Sequence, residues 1–298
     1  MYDIIIIGAG PAGISAGVYA ASRGKKTLIL EQNEVGGIIG TVSTVTHYAG
    51  IAEQETGASF AGRLKRQALA AGVEIAYEKV IAVELSAPVK TIHTQRENYQ
   101  APKVILANGC TPRKLDIPGE AELTGHGMGL NAARDGAAYA GKSVYVVGGA
   151  DGAVKEALYL AQFARTVTIL HFEHQLGCIA EFQNKAVHTP NLRMRLNTRL
   201  QAVRGKEQIE ALELLHVPDG RVETIQDPGC GIFIYAGTVP NTQLYSEIVT
   251  ENGFLPVNER METALPGVYA AGDIRVKQVR QVATAVSDGA IAAIHAAL

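Results

Sequence analysis

The sequence predicts an α/β protein with two Rossmann-like dinucleotide-binding domains, the second inserted in the first. The first thirty residues read as a strand, a glycine turn, a helix and a second strand. The same order of elements returns about 140 residues further along the chain, and a third glycine-containing strand lies near the end. Such alternating units build parallel sheets with helices packed on their faces.

The first unit begins with four consecutive isoleucines at residues 4–7, a run typical of a strand that is buried on both faces. Residues 11–22 are rich in alanine and other small residues, which predicts a helix. Residues 25–30 are the next apolar run and predict the second strand.

The second unit repeats this pattern, and the chain closes with two more strands and a helix. The predicted elements are strands at 143–147 and 166–170 with a helix at 153–163 between them, strands at 231–236 and 267–271, and a last helix at 283–297.

Proline and glycine turns mark the domain boundaries. Cys110-Thr111-Pro112 is followed closely by Ile117-Pro118-Gly119, which predicts a boundary after residue 112. We therefore expect a first domain made of residues 1–112 and 236–298, with a second domain of residues 113–235 inserted into it.

Composition excludes several classes of function. The chain has 27 basic and 29 acidic residues with no long run of either sign, so nucleic acid is not an expected partner. Its three cysteines, Cys110, Cys178 and Cys230, show no CxxC or CxxH spacing, so we expect neither a disulfide scaffold nor a metal site. A cytoplasmic location is the expectation that follows.

Residues 4–22 carry no charge, yet they do not predict a membrane span or a signal peptide. Gly8, Gly10, Pro11 and Gly13 interrupt the run, and no basic segment precedes it.

The first glycine turn has the context that a dinucleotide-binding site requires. Gly8 permits a tight turn after the strand, Gly10 lets the backbone approach a pyrophosphate, and Gly13 allows close packing of helix and strand. The helix N-terminus then offers free N–H groups to the phosphates. Glu31, at the end of the second strand, is placed to accept hydrogen bonds from both ribose hydroxyls.

A second motif, Gly267-Val268-Tyr269-Ala270-Ala271-Gly272-Asp273, lies near the chain end, followed by Arg280-Gln281-Val282 and by Asp288-Gly289-Ala290. Together with the first glycine turn, these motifs resemble the low-molecular-weight thioredoxin reductase family of flavoproteins over nearly the whole chain. The resemblance implies bound FAD, with Asp273 at the ribityl or phosphate portion of the flavin and with Gln281 and Val282 against the isoalloxazine.

Some flavin-contacting segments differ from the family pattern. Gly36-Gly37-Ile38 stands where the family has Gly-Gly-Gln, His47 lies in the counterpart of Glu-Asn-Tyr-Pro-Gly, and Ala107-Asn108-Gly109 replaces Ala-Thr-Gly. The predicted cofactor-binding residues are Gly8, Gly10, Pro11, Ala12, Gly13, Glu31, Gly36, Gly37, Ile38, His47, Ala107, Asn108, Gly109, Gly272, Asp273, Arg280, Gln281 and Val282.

The segment that corresponds to the family's redox centre differs most from the family pattern. Where the family carries Cys-Ala-x-Cys-Asp-Gly, this chain has Asn131-Ala132-Ala133-Arg134-Asp135-Gly136, so Asn131 and Arg134 occupy the cysteine positions. Neither side chain can form a mixed disulfide, which leaves the flavin itself as the expected catalyst. If Arg134 faces the flavin, its charge would stabilise the anionic reduced form and raise the potential; a surface position is the alternative.

The second glycine turn, Gly148-Gly149-Ala150-Asp151-Gly152-Ala153, has alanine at its middle glycine position. The family's arginine-rich reader of a 2′-phosphate corresponds to residues 171–177, which contain no arginine, and Glu173 would repel a 2′-phosphate. NADPH is therefore disfavoured, and the site either takes NADH or is vacant or repurposed.

The sequence thus predicts an FAD-dependent oxidoreductase without a dithiol. Its donor is either a nicotinamide dinucleotide, NADH or NADPH, or a protein such as ferredoxin, and its redox partner is a small molecule or a protein. A flavin-binding regulatory module without turnover and a ferredoxin–NAD(P) reductase-like activity are the alternatives. Homodimer formation is implied by the resemblance alone.

Overall fold

The computed structural model describes all 298 residues of the chain. In chain order the strands are β1 (Ile4–Ile7), β2 (Thr27–Glu31), β3 (Glu74–Tyr77), β4 (Val80–Glu84), β5 (Lys90–Thr94), β6 (Asn98–Ala101), β7 (Lys103–Leu106), β8 (Cys110–Pro112), β9 (Ser143–Val147), β10 (Thr166–Leu170), β11 (Leu192–Arg195), β12 (Thr198–Gly205), β13 (Ile209–His216), β14 (Val222–Gln226), β15 (Gly231–Ile234), β16 (Thr238–Pro240) and β17 (Val268–Ala270).

The α-helices are α1 (Pro11–Ala21), α2 (Gly57–Ala70), α3 (Glu120–Leu123), α4 (Ala132–Asp135), α5 (Asp151–Leu160), α6 (Ala180–Val187) and α7 (Val282–Ala296). Short 3-10 helices span Gly37–Thr41, Gly136–Tyr139 and Gly272–Ile274. None of the helices combines the length and the apolar character that a bilayer crossing requires.

The chain forms two compact units. Unit 1 consists of residues 1–111 and 239–298, and unit 2 consists of residues 112–238. Each unit has its own apolar core, and both contain a parallel sheet, so the α/β fold class predicted from the sequence is confirmed.

Unit 1 is built on a parallel sheet with the strand order β17-β7-β1-β2-β3. Along β1, Ile4 and Ile6 pack with helices α1, α2 and α7, whereas Ile5 and Ile7 face a core shared with the antiparallel sheet β4-β5-β6. Both faces of β1 are therefore buried, which explains its uninterrupted apolar run.

Unit 2 repeats this arrangement on a parallel sheet with the order β11-β10-β9-β15. On β9, Val144 and Val146 pack against α5 and α6, and Tyr145 and Val147 pack toward the antiparallel sheet β12-β13-β14. Strands β1, β9 and β10 have the bounds predicted from the sequence.

Other boundaries differ from the prediction. Helix α5 begins at Asp151 rather than at residue 153, because the extended backbone of Ala150 already forms its N-cap. It ends at Leu160, whose carbonyl accepts hydrogen bonds from the N–H groups of Phe163 and Ala164 in a closing turn. Helix α2 and the two antiparallel sheets were not predicted.

Candidate functional site

The carboxyl ends of adjacent parallel strands in unit 1 bring most of the predicted residues to one edge of the sheet. The glycine turn follows β1, Glu31 ends β2, Ala107 follows β7, and Gly272 with Asp273 comes just after β17. From β1 the chain continues through β2 to β3 on one side of the sheet, and it returns later to β7 on the other side of β1. Such a switch point is where open α/β sheets bind ligands.

The glycine turn is too tightly packed for side chains at two of its three positions. A Cβ atom on Gly8, whose φ is +104°, would lie 2.6 Å from the Ala107 carbonyl oxygen. A Cβ on Gly13 would lie 1.8 Å from the Gly8 carbonyl oxygen. Gly10 differs, because the nearest heavy atom to its Cβ position is the Gly36 carbonyl oxygen at 4.0 Å. The turn therefore leaves an open cradle beside Gly10.

Helix α1 starts at this cradle without a side-chain cap. Gly10 is its extended N-cap, and Pro11 at the first position has no N–H to satisfy. The backbone N–H groups of the first turn thus have no side-chain acceptor and are available to an anionic group.

Glu31 is held by the backbone on both sides. Its Oε2 accepts a hydrogen bond from the Ala9 N–H at 2.8 Å, and its Oε1 accepts one from the Asn33 N–H at 2.9 Å. The carboxylate is thereby fixed next to the glycine turn, in a position suited to accept from a ribose diol.

Asp273 carries an unsatisfied buried oxygen. Its Oδ1 makes no hydrogen bond in the protein, and the nearest cation, Lys277 Nζ, lies 3.9 Å away. Burial raises the pKa of Asp273, and the charges of Lys277 and Arg280 oppose this rise. A buried acceptor without a donor is costly, so the oxygen fits a ligand hydroxyl or another donor from a bound FAD.

Asp288 on α7 supports the same edge. Its carboxylate accepts hydrogen bonds from the Gly272 N–H, from Arg275 Nε and Nη2, and from Lys277 Nζ. Burial by itself raises the pKa of Asp288, but the hydrogen bonds from Arg275 and Lys277 outweigh it and the net pKa is lowered. This cluster fixes the segment that carries Asp273. In the sequence, Asp288 is recognisable only as part of the Asp288-Gly289-Ala290 motif.

Two further glycines complete the cradle. The Gly36 N–H donates to the Ala9 carbonyl at 2.9 Å, and a Cβ on Gly37 would lie 3.5 Å from Gly10 Cα. The neighbouring Ile38 is a large apolar side chain that is 44% exposed, which leaves an apolar surface beside the turn.

Asn108 links the two chain segments that make up unit 1. Its Nδ2 donates to the Asn241 carbonyl, Asn241 Nδ2 donates to the Asn108 carbonyl, and the buried Tyr245 hydroxyl donates to Asn108 Oδ1 at 2.7 Å. Asn108 therefore has a definite structural role in this chain, whatever else it contacts.

His47 and Gln281 each make contacts within their own local segment. His47 is exposed on a loop at φ +57°, with its Nδ1 3.2 Å from Thr46 Oγ1. Gln281 caps helix α7, where Thr284 Oγ1 accepts a hydrogen bond from its N–H. Val282 is the first residue of that helix, and Arg280 lies with its guanidinium 4.1 Å from the centroid of the Phe254 ring.

Asn131 and Arg134 lie in unit 2 and make a closed local structure. Asn131 Oδ1 accepts from the Arg134 N–H at 2.9 Å and caps helix α4, while Asp135 Oδ2 accepts from the Asn131 N–H at 2.7 Å. The Arg134 guanidinium, whose side chain is 74% exposed, donates to both oxygens of Asp135. Its charge is thus offset by the adjacent carboxylate.

The three cysteines are all buried and unpaired with one another. Burial raises the pKa of Cys178, and it raises the pKa of Cys230 to about 12. The Cys110 thiol lies 3.3 Å from the Asp273 carbonyl oxygen. Thiols that resist ionisation are poor nucleophiles.

Comparison with known proteins agrees with this geometry. Residues 2–289 match the family model described as pyridine nucleotide-disulphide oxidoreductase. A thioredoxin reductase of Peptoclostridium acidaminophilum is 38% identical over 302 residues, which covers 99% of this chain and 96% of that protein.

Among solved structures, Lactococcus lactis thioredoxin reductase is similar with a TM-score of 0.95 and 35% identity, covering 99% of this chain and 98% of that chain. A ferredoxin-flavin thioredoxin reductase from Clostridium acetobutylicum is 28% identical with a TM-score of 0.54, covering 99% of this chain and 96% of that chain.

Proposed function

The chain belongs to the pyridine nucleotide-disulphide oxidoreductase family, and from that premise we propose that it is an FAD-dependent oxidoreductase that works without a redox-active dithiol. When bound, FAD supplies the two-electron and one-electron redox chemistry that no side chain of this protein offers. The chain contributes binding, orientation and electrostatics.

This proposal depends on the structure of residues 131–136. Asn131 caps helix α4 and Arg134 pairs with Asp135, so both side chains serve local structure and neither can undergo thiol–disulfide exchange. The cysteines do not replace the missing pair, because all three are buried and burial raises the pKa of Cys178 and Cys230.

Residues of unit 1 would hold the cofactor at the edge of the parallel sheet. The open side of Gly10 and the uncapped start of α1 suit a pyrophosphate, Glu31 suits the adenosine ribose, and the unsatisfied oxygen of Asp273 suits the flavin side of the ligand. Ile38 stands where the family pattern has glutamine and would contribute apolar surface there, whereas His47 keeps a polar side chain at its position.

Two classes of electron donor remain in this proposal. A nicotinamide dinucleotide would use the glycine turn of unit 2, whereas a protein donor is favoured by the similarity to a ferredoxin-flavin enzyme. The acceptor is a small molecule or a protein. By resemblance, we further propose a homodimer that works in the cytoplasm.

A reductive titration of the purified flavoprotein tests the absence of a dithiol. Anaerobic dithionite should reduce the protein with two electrons per FAD, because a redox disulfide would take up two more. A variant with Cys110, Cys178 and Cys230 all changed to alanine is the matched control and should give the same stoichiometry. Uptake of four electrons by the wild-type protein would overturn the proposal.

The donor is then identified by flavin bleaching with NADH, NADPH and reduced ferredoxin in turn. Bleaching by a nicotinamide dinucleotide assigns the donor to unit 2, and bleaching by ferredoxin alone assigns a protein donor. If no donor bleaches the flavin and no acceptor reoxidises it, the protein is a flavin-binding module without turnover. Two residues of the second glycine turn favour this flavin-binding module: alanine at position 150 and the Asp151 carboxylate beside it.

A further inference from the structure

The two parallel sheets contain corresponding residues that are 140 positions apart. Ile7 pairs with Leu30 in unit 1, and Val147 pairs with Leu170 in unit 2. Gly148 is therefore the counterpart of Gly8, and the residue that corresponds to Glu31 is His171. Unit 2 therefore has an imidazole, that of His171, at the position where unit 1 has the carboxylate of Glu31.

His171 is buried against the second glycine turn. A Cβ on Gly149 would lie 2.5 Å from the ring, so the imidazole occupies the space directly above that glycine. The residue is 6% exposed, and its Nδ1 makes no hydrogen bond in the protein. Its other nitrogen, Nε2, lies 3.3 Å from Glu173 Oε2.

The loop that follows β10 is closed onto the turn in the same way as in unit 1. The Gly177 N–H donates to the Gly149 carbonyl at 3.0 Å, which matches the bond from Gly36 to Ala9. Counted from the corresponding residues Glu31 and His171, the loop in unit 2 is one residue longer up to this bond. Glu173 lies in this loop, two residues after His171.

Protein contacts orient Glu173 but engage only one of its two carboxylate oxygens. The Asn197 N–H donates to its carbonyl at 2.9 Å, which fixes the backbone, and His171 contacts one carboxylate oxygen. The other oxygen, Oε1, accepts no hydrogen bond in the protein, and the side chain is 53% exposed. A half-exposed, positioned carboxylate at the carboxyl end of this strand is suited to accept from a ribose 2′-hydroxyl and to repel a 2′-phosphate.

We infer that Glu173, positioned by His171, makes unit 2 selective for a nicotinamide dinucleotide with a free 2′-hydroxyl over one with a 2′-phosphate. The inference rests on the proposed function, which it deepens by naming the donor. Glu173 acts as the specificity residue and His171 as the residue that orients it. The neighbouring Arg199, whose guanidinium lies 4.9 Å from the Phe172 ring centroid, is the cation that would read a 2′-phosphate if the inference were wrong.

Calorimetric titration of the oxidised flavoprotein with NAD⁺ and NADP⁺ tests this inference without electron transfer. The wild-type protein should bind NAD⁺ at least about tenfold more tightly, as expected for a lost charge-assisted hydrogen bond together with charge repulsion. Glu173→Gln should weaken NAD⁺ binding, strengthen NADP⁺ binding and bring the two affinities within about threefold. Arg199→Gln should leave the preference for NAD⁺ in place.

Glu207→Gln is the matched control, since it makes the same charge change at an exposed position between β12 and β13 of the same unit. It should retain the wild-type ratio. Equal or tighter binding of NADP⁺ by the wild-type protein, an unchanged ratio in Glu173→Gln, or no binding of either dinucleotide would each overturn the inference.

The outcomes also separate this inference from the proposed function. Selective NAD⁺ binding by a protein that shows no flux with any donor and acceptor would support the site and refute the oxidoreductase. Steady-state electron transfer from a protein donor, in a protein that binds neither dinucleotide, would support the oxidoreductase and refute the site.

Discussion

Single glycines hold the helices of unit 1 against each other and against the sheet. Gly289 on α7 faces α1, where a Cβ would lie 2.0 Å from the Ala12 carbonyl oxygen. The sequence shows Gly289 as part of the Asp288-Gly289-Ala290 motif, but no local pattern shows that it meets α1 whereas Gly62 on α2 does not meet another backbone segment. The contact across the two helices makes the difference.

Replacing these two glycines with alanine should therefore have opposite effects. Gly289→Ala should lower the free energy of unfolding by about 1–3 kcal/mol, because α1 and α7 must move apart. Gly62→Ala, whose Cβ would meet only the flexible end of Arg66, should raise it by about 0.5–1 kcal/mol. Urea unfolding measures both, and a neutral Gly289→Ala would contradict the close packing.

Asp288 is the second residue whose role is decided by distant partners. Asp288→Asn removes a buried carboxylate from Arg275 and Lys277 and should cost about 3 kcal/mol or more at neutral pH. The folded-state pKa of Asp288 is lowered, so its contribution is present above the unfolded pKa of about 3.9 and is lost as the pH falls through the folded value.

The stability difference between wild type and Asp288→Asn should accordingly shrink as the pH is lowered from neutral to about 3. Urea unfolding at several pH values checks this. Glu259→Gln, at an exposed acid of the same unit, is the control and should show little difference at any pH. A difference that does not depend on pH would mean that the Asp288 charge is not what stabilises the fold.

At the scale of an element, helix α4 shows what the side chains of Asn131 and Arg134 do in the fold. Asn131 accepts a hydrogen bond from the Arg134 N–H, and Asp135 accepts one from the Asn131 N–H, so the two ends of the four-residue helix are tied together. Asn is a strong helix N-cap, and the exposed ion pair of Arg134 with Asp135 adds little stability.

Asn131→Ala should therefore destabilise the protein by about 1 kcal/mol, while Asn131→Asp should retain most of the stability because aspartate also caps. Arg134→Ala should change the unfolding free energy by no more than about 0.5 kcal/mol. Thermal or urea unfolding of the three variants gives the comparison. Equal losses in Asn131→Ala and Asn131→Asp would show that the side chain at position 131 does not act as a cap.

The second turn is an element that the sequence predicted only in part. Alanine at position 150 and glutamate at position 173 are visible in the sequence, but the burial of His171 over Gly149 is not. The position of the imidazole depends on the loop closing back through Gly177, a contact that no local pattern specifies.

At the scale of the whole molecule, two units with separate cores share one chain. Unit 1 contains the turn, Glu31 and Asp273, and unit 2 is a continuous segment with its own sheets. A ligand stabilises only the state that binds it, by about 2.7 kcal/mol when present at one hundred times its dissociation constant.

Removal of FAD should therefore loosen unit 1 far more than unit 2. Amide hydrogen exchange of the protein with and without FAD is the measurement. Protection of β1, β2, β7 and the start of α1 should fall on FAD removal, while that of β9, β10 and β15 should change little. Equal loss in both units would indicate a single cooperative unit or a flavin held elsewhere.

The sequence by itself determined the fold class, because runs of buried apolar residues and glycine turns are local patterns that repeat. It also determined that no Cys-x-x-Cys pair exists, since that is a matter of composition and spacing. Strands β1, β9 and β10 were predicted to the residue: every residue of β1 and β9 is buried, and β10 is a run of β-branched and apolar residues of which three of five are buried. The antiparallel strands were not predicted, since strands such as β14 are mostly exposed and lack a continuous apolar run.

Only the tertiary structure decided which polar groups have partners. The unsatisfied oxygen of Asp273, the three donor residues around Asp288, and the imidazole of His171 packed over Gly149 all depend on residues far apart in the chain meeting in space. Buried charge and hydrogen bonding are properties of the folded surroundings, so the sequence shows which residues are present and the fold decides what each of them can bind.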